Sequence, residues 1–289
     1  MNLSPFPLCE NTLCRFVAFL VNQHLTLGTI RLYLSALRLH QIAGGGSDPS
    51  MANMAWLHYV LQGTARIARG IPRPLRLPIT LDILVRLFHV WKALPDRYEA
   101  SLLWAAATLG FFGFLRAGEF TVVPNSDQVP LTLGDVQVDS HANPTLLAVT
   151  LRASKTDPFG AGHTLYVGCT HSRICPVRAV LAYMAIRPRI PGPLFIHSDG
   201  TPLTRPKLVT EVRGALTGDG MDLSRYTGHS FRIGAASSAA QAGVPDSLIQ
   251  TLGRWRSSAF QWYIRTPTST LLSVPLRLTQ VIMNSTDQA

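Results

Sequence analysis

Thr227-Gly228-His229-Ser230-Phe231-Arg232, Leu252-Gly253-Arg254-Trp255 and Trp262-Tyr263-Ile264-Arg265 follow one another near the C-terminal end of the chain. Positions three apart share a face of a helix, so His229 and Arg232 can converge on one small anionic group. A phosphate diester suits that pair, because arginine presents a planar fork of donors that matches phosphate oxygens. A tyrosine brought beside such a phosphate can attack it and carry a covalent intermediate. Each piece alone has a plainer reading. A tyrosine in an amphipathic helix is ordinarily core, and an isolated histidine there is ordinarily a hydrogen-bonded core residue.

Two upstream segments supply what that chemistry still lacks. Phe114-Leu115-Arg116-Ala117-Gly118-Glu119 offers a further arginine, with Glu119 at i+3 either pairing with it or orienting it. Leu151-Arg152-Ala153-Ser154-Lys155-Thr156-Asp157 offers a lysine in a turn between strand patterns. Such an ammonium can reach a leaving oxygen, whereas arginine holds its proton too tightly to donate it. An exposed turn lysine is the plainer alternative.

Taken in order, Arg116, Lys155, His229, Arg232 and Tyr263 resemble the tyrosine recombinase (phage integrase) family in sequence, approximate spacing and local context. The wording around them is closest to the recombinases of DIRS-type and related eukaryotic mobile elements. It matches in Ala153-Ser154-Lys155-Thr156-Asp157-Pro158, in Gly228 to Ala236 and in Leu252-Gly253-Arg254-Trp255. The resemblance is strong over roughly residues 80–267 and weak before them. It implies a site-specific recombinase in which Tyr263 forms a 3′-phosphotyrosyl bond and frees a 5′-hydroxyl. Arg116 and Arg232 would clamp the non-bridging oxygens, His229 would accept the tyrosine proton, and Lys155 would protonate the 5′-oxygen. No metal or other cofactor is implied. The implied partner is double-stranded DNA, bound by a homo-oligomer that is dimeric on DNA and tetrameric in synapsis.

One position departs from the family pattern. Many members place histidine or tryptophan directly after Leu-Gly, and this chain has Arg254 there with Trp255 behind it. By position Arg254 adds a third cation and Trp255 packs beneath Tyr263. Guanidinium and indole can both donate to the same oxygen, so the choice between them stays open. Two rival functions remain beside the recombinase reading. They are a type IB topoisomerase, which shares the chemistry without paired sites, and a domesticated, non-catalytic DNA-binding protein.

The bulk properties agree with a polyanionic partner. The chain has 289 residues, 47% hydrophobic and only 15% charged, with a net charge of +10. That is a globular protein long enough for two cores, with a phosphate-attracting excess of cations. The four cysteines, Cys9, Cys14, Cys169 and Cys175, are too sparse for a disulfide scaffold, which points to a reducing compartment. His163, Cys169, His171 and Cys175 match no standard zinc spacing, so no metal site is expected. Met1 to Leu13 lacks a basic segment before an apolar one, so no secretory signal is read. The uncharged run from Ala100 to Leu115 falls short of the roughly 20 residues that span a bilayer. No membrane partner is expected, and the recombinase reading requires the nucleus.

The expected fold is mainly α with a small antiparallel sheet. Residues 1–69 form a helical bundle, 70–79 a Pro/Arg-rich linker, and 80–289 the catalytic domain. In the bundle, apolar residues recur at helical spacing over 10–22, from about Thr29 to Gly44, and over 54–68. Its charges can be an ordinary solvated face or a DNA-binding one. The resemblance implies a core-binding domain that clasps the duplex from the side opposite the catalytic domain. Arg69, Arg73 and Arg76 in and beside the proline-rich linker are suited to follow a phosphate backbone. Further on, the patterns predict helices over 81–93, 96–114, 176–186, 204–216, 229–241, 245–252 and 257–264. Strands are expected over 135–139, 146–153, 163–167 and 194–197, with a turn at 154–162. The tail after Pro267 is rich in leucine and valine and suits docking, either on a neighbouring copy or on its own domain.

Overall fold

A computed structural model describes residues 6–69, 75–152, 162–218, 220–266, 270–273 and 275, with main chain alone at 68 and 69. The chain divides into two compact units, Met1–Pro74 and Leu75–Ala289.

The first unit is built from α1 (Glu10–Asn22), α2 (Leu27–Ala43) and α3 (Ala55–Arg69). Leu13, Val17 and Leu20 of α1 meet Ile30 and Leu34 of α2 and Leu57 of α3 in one small core. α2 begins before the apolar repeat suggests, because the Thr26 hydroxyl accepts the Thr29 N–H at 3.1 Å and caps the helix there. Gln41 is buried and bonded through both its oxygen and its nitrogen, accepting from Leu8 N and donating to Ser47 O, both at 2.6 Å. It ties the entry of the chain to the turn after α2.

The second unit is organised around α5 (Arg97–Phe112). Asp96 caps this helix, accepting the N–H groups of Tyr98 and Glu99 at 2.9 and 3.2 Å. Beyond its first turn α5 is apolar nearly all round and buries Leu102, Leu103, Ala105, Ala106, Ala107 and Leu109, as a helix surrounded by protein must. α4 (Leu81–Lys92), α7 (Pro176–Ile186) and α9 (Ser230–Gln241) pack against it. The sheet is antiparallel in the order β1 (Val136–Val138), β2 (Leu146–Leu151), β3 (His163–Gly168). Pairing Val149 with Leu165 and Leu147 with Val167 turns one apolar face inward. α8 (Arg205–Ala215) and α10 (Asp246–Leu252) complete the longer helices.

Three expectations need correction. The segment 194–197 is no strand: Ile196 makes an isolated bridge with Pro202, and the backbone bonds are divided among Leu131, Thr201, Leu203 and two side chains. Tyr183 Oη accepts Ile196 N at 2.9 Å, and Arg187 Nε donates to Leu194 O at 2.8 Å. Residues 257–264 form only a short 3-10 turn, Ser258–Trp262, ending at Tyr263. There the Ser237 hydroxyl bonds Tyr263 O and Arg265 N, taking groups a longer helix would use. A short helix, α6 (Ala117–Phe120), also stands where none was expected. The turn at 154–162 falls almost wholly outside the described residues. Among the described residues no helix is long and apolar enough to cross a membrane.

Candidate active site

After α5 the chain turns through Gly113 and Phe114, the latter in left-handed backbone at φ 51°. Arg116 then caps α6. Its N–H donates to Glu119 Oε2 and its Nη1 to Oε1, both at 2.8 Å. Arg254 reaches the same carboxylate, with Nη2 2.9 Å from Oε2. Its Nη1 donates to Gly113 O at 3.3 Å. Glu119 is buried, so one enclosed carboxylate holds two guanidiniums and leaves a surplus of positive charge. Arg116 still exposes 21% of its side chain, enough to meet a ligand.

Arg232 lies in the first turn of α9 and is 0% exposed. Its Nη1 donates to Phe114 O at 3.0 Å and its Nη2 to Gly253 O, so it links the segments that carry Arg116 and Arg254. Its Nε has no partner among the described residues. Burial, then the charges of Arg116 and Arg254, pull its pKa down to about 9 against the opposing effect of Glu119 and Tyr263. A buried guanidinium crowded by like charges is costly unless something anionic completes its surroundings.

The Arg232 guanidinium lies 4.3 Å from the Trp255 ring centroid and 6.0 Å from that of Tyr263. The two rings themselves are 5.1 Å apart and tilted by 55°. Gly253 makes this possible, because a Cβ there would fall 1.5 Å from the indole. Arg254 follows in left-handed backbone at φ 56°. Around that bend the arginine faces Glu119 and the tryptophan faces Arg232 and Tyr263. α9 is itself seated closely: Ile79 N donates to Ser230 O at 2.9 Å, and a Cβ on Gly234 would meet Ile79 O at 1.7 Å.

His229 caps α9, with a buried Nδ1 that has no partner among the described residues. Burial first, then Arg76, Arg116, Arg232 and Arg205, push its pKa down to about 4. The imidazole is therefore neutral near pH 7 and able to take a proton. Beside it opens a cavity of about 580 Å³ lined by Arg76, Arg116, Arg205, Arg213, Glu119 and His229. A neutral base and clustered cations around the cavity, with the Tyr263 ring against the buried Arg232, are groups that can bind an oxyanion and attack it.

No protein-family model matches the chain, and no curated protein matches it in sequence. Solved structures do match. XerA recombinase is 17% identical at a TM-score of 0.51, over 96% of this chain and 85% of that one. XerH site-specific recombinase, bound to a palindromic difH substrate in a post-cleavage complex, is 15% identical at 0.56, over 93% and 72%. The Tn1549 transposon integrase in complex with circular intermediate DNA is 12% identical at 0.56, over 94% and 86%. The fold is that of the tyrosine recombinases.

Within this recombinase fold, Arg116, Glu119, His229, Arg232, Arg254, Trp255 and Tyr263 lie in one neighbourhood. Lys155 and Arg73 lie outside the described residues, and the Arg69 side chain does as well. Arg76 is exposed and close enough for its charge to act on His229. Sequence reasoning missed Ser237, whose hydroxyl donates to Tyr263 O at 3.2 Å and accepts Arg265 N at 2.9 Å. It also missed Arg205, and His163, whose pKa burial and the charge of Arg254 lower. For Arg205 the only signal was a cation after the Thr204 cap; for Ser237 there was none.

Proposed function

We propose that this chain cuts and rejoins duplex DNA as a site-specific recombinase, through a covalent 3′-phosphotyrosyl bond at Tyr263. The observation that carries the reading is Arg232, buried with an unused donor, beside Arg116 and Arg254 and against the tyrosine ring. The DNA complexes formed by proteins of the same fold support it.

In this reading Arg116 and Arg232 hold the non-bridging oxygens of the scissile phosphate, and Arg254 adds charge through the carboxylate it shares with Arg116. Preorganised donors of this kind stabilise the pentavalent transition state without reorganising. His229 takes the Tyr263 proton. The bound phosphate offsets the arginine charges that depress the imidazole, so His229 becomes a better base when substrate arrives. Lys155 supplies the proton to the 5′-oxygen. The ester keeps the energy of the broken bond, and a 5′-hydroxyl from a second duplex reverses the step. Arg76 and Arg205 would carry the flanking backbone, and the N-terminal unit would bind the duplex as a core-binding domain. The finer assignment, to integration or excision of a DIRS-type mobile element in a nucleus, rests on the segments around Lys155, His229 and Arg254.

The test uses supercoiled plasmid carrying two copies of the flanks of the parent element, with excess chelator present. Recombinant products at paired sites support the reading. Relaxation of any plasmid without recombination would make the chain a topoisomerase, and binding without strand breakage a domesticated DNA-binding protein.

A further inference from the structure

Away from this site, the loop between β3 and α7 brings two thiols together. Cys169 follows β3 and Cys175 caps α7, and their sulfurs are 3.3 Å apart. Both are free thiols, Cys175 buried in the core and Cys169 partly exposed. His171, in left-handed backbone at φ 51°, places Nδ1 3.8 Å from Cys169 Sγ. The loop is drawn closed by Thr170 Oγ1, which donates to Ile174 O at 2.9 Å, and by the Arg178 side chain, which donates to Ser172 O. Burial pushes the Cys175 thiol up. The backbone N–H groups of Arg178 and Thr170, the Cys169 thiol and the Arg178 side chain outweigh it and bring the pKa down to about 7. Two thiols this close, one of them with a lowered pKa, are placed for thiol–disulfide chemistry.

We propose that Cys169 and Cys175 form a dithiol that a hydroperoxide converts to an intrachain disulfide, stapling the end of β3 to the start of α7. Cys169 is the entry thiol because it is the more accessible. Its proton passes to His171, and the thiolate attacks the terminal oxygen of the hydroperoxide. The O–O bond breaks, the alkoxide takes the proton from His171 and leaves as the alcohol, and Cys169 becomes a sulfenic acid. The Cys175 thiolate then attacks the Cys169 sulfur, the S–O bond breaks, and hydroxide leaves and is protonated to water. Two thiols are oxidised and one peroxide is reduced. A disulfide bond is about 2.05 Å long, so the sulfurs must close by roughly 1.3 Å, within reach of a side-chain rotation at the less buried Cys169.

The experiment treats the reduced full-length protein with equimolar hydrogen peroxide, blocks remaining thiols with iodoacetamide and digests with trypsin without reductant. Cleavage after Lys155, Arg173 and Arg178 separates the two cysteines into peptides 156–173 and 174–178. The expected result is those peptides joined, lighter by two hydrogens, and released by dithiothreitol. Cys169→Ser should abolish the oxidation of Cys175, His171→Asn should slow pairing several-fold, and Cys9→Ser with Cys14→Ser should change nothing. Both peptides recovered alkylated, or joined to Cys9, Cys14 or a second chain, would overturn the proposal. Cys175 oxidised at an unchanged rate in the Cys169→Ser protein would overturn it too.

Discussion

At the end of α7, the Arg187 guanidinium closes on main-chain carbonyls. Nε donates to Leu194 O at 2.8 Å, Nη1 to Pro188 O and Ile190 O at 2.6 and 3.1 Å, and Nη2 to Pro193 O at 2.8 Å. In α9, Arg232 is buried at least as deeply, yet among the described residues it bonds two carbonyls, leaves Nε without a partner and sits among other arginines. The same side chain does two jobs. Arg187 is satisfied by its own loop and fixes the irregular path of residues 188–194. Arg232 is held in place by Phe114 and Gly253 but is not neutralised, which suits a cation waiting for a phosphate. Buried charge is costly in both places, and only the pattern of partners separates scaffold from site.

That contrast can be broken in several ways. Arg254→Glu has the largest expected effect, complete loss of cleavage on denaturing gels. It sets an anion against Glu119 and removes a cation, whereas Arg254→His should retain substantial cleavage. Arg232→Lys should lower the single-turnover cleavage rate by about 10²–10³-fold, the usual loss when one oxyanion donor goes. Its melting temperature should fall less than that of Arg187→Met, because the ammonium keeps the charge and can still donate to Phe114 O or Gly253 O. Arg187→Met should do the reverse: a loss of about 3 kcal/mol in denaturant unfolding as buried carbonyls lose their donor, with the cleavage rate of the folded fraction unchanged. Equal losses of stability in the two variants would erase the distinction.

Trp255→Ala should cost about 2 kcal/mol, since the indole is only partly buried between Arg232 and Tyr263. Trp255→Phe tests the remaining choice at this bend. Cleavage should survive, because Arg254 faces Glu119 and the indole serves as a surface for Arg232. Loss of cleavage in Trp255→Phe with a harmless Arg254→Ala would reverse the two roles.

The smallest effect is that of pH on the free protein. The folded pKa of His229, about 4, lies below its ordinary value near 6.5. The unfolded chain therefore binds the proton first, and the contribution of the neutral imidazole is full above pH 6.5 and lost as pH falls toward 4. After discounting for the exposed part of the ring, about 1 kcal/mol is expected. Unfolding curves of His229→Asn across that window should be flatter than those of the unaltered protein.

Much of the site was legible because its residues lie in short strings whose local geometry does the work. Arg116 and Glu119 are one turn apart, and the Gly253-Arg254-Trp255 bend needs its glycine for the indole to fold back. The helices were legible from apolar spacing, and the structure adds the caps Thr80, Asp96 and Thr204. What could not be read was tertiary. The Ser237 hydroxyl under Tyr263, the carbonyls of Gly113, Phe114 and Gly253 that position arginines, and the side chains of Tyr183 and Arg187 that bond Ile196 N and Leu194 O carry no local signal. The 3-10 turn before Tyr263 was misread for the same reason, since its continuation as a helix is forestalled from α9.

The account turns on Tyr263 as the nucleophile. The direct measurement incubates the protein with nicked suicide duplexes from the flanks of the proposed parent element, in chelator, and maps the DNA-linked peptide by mass spectrometry. The account predicts an adduct through a 3′-phosphate on Tyr263, absent from Tyr263→Phe while that variant binds the duplex with nearly unchanged affinity. An adduct that persists in Tyr263→Phe, or that maps to Tyr226 or Tyr166, would contradict it.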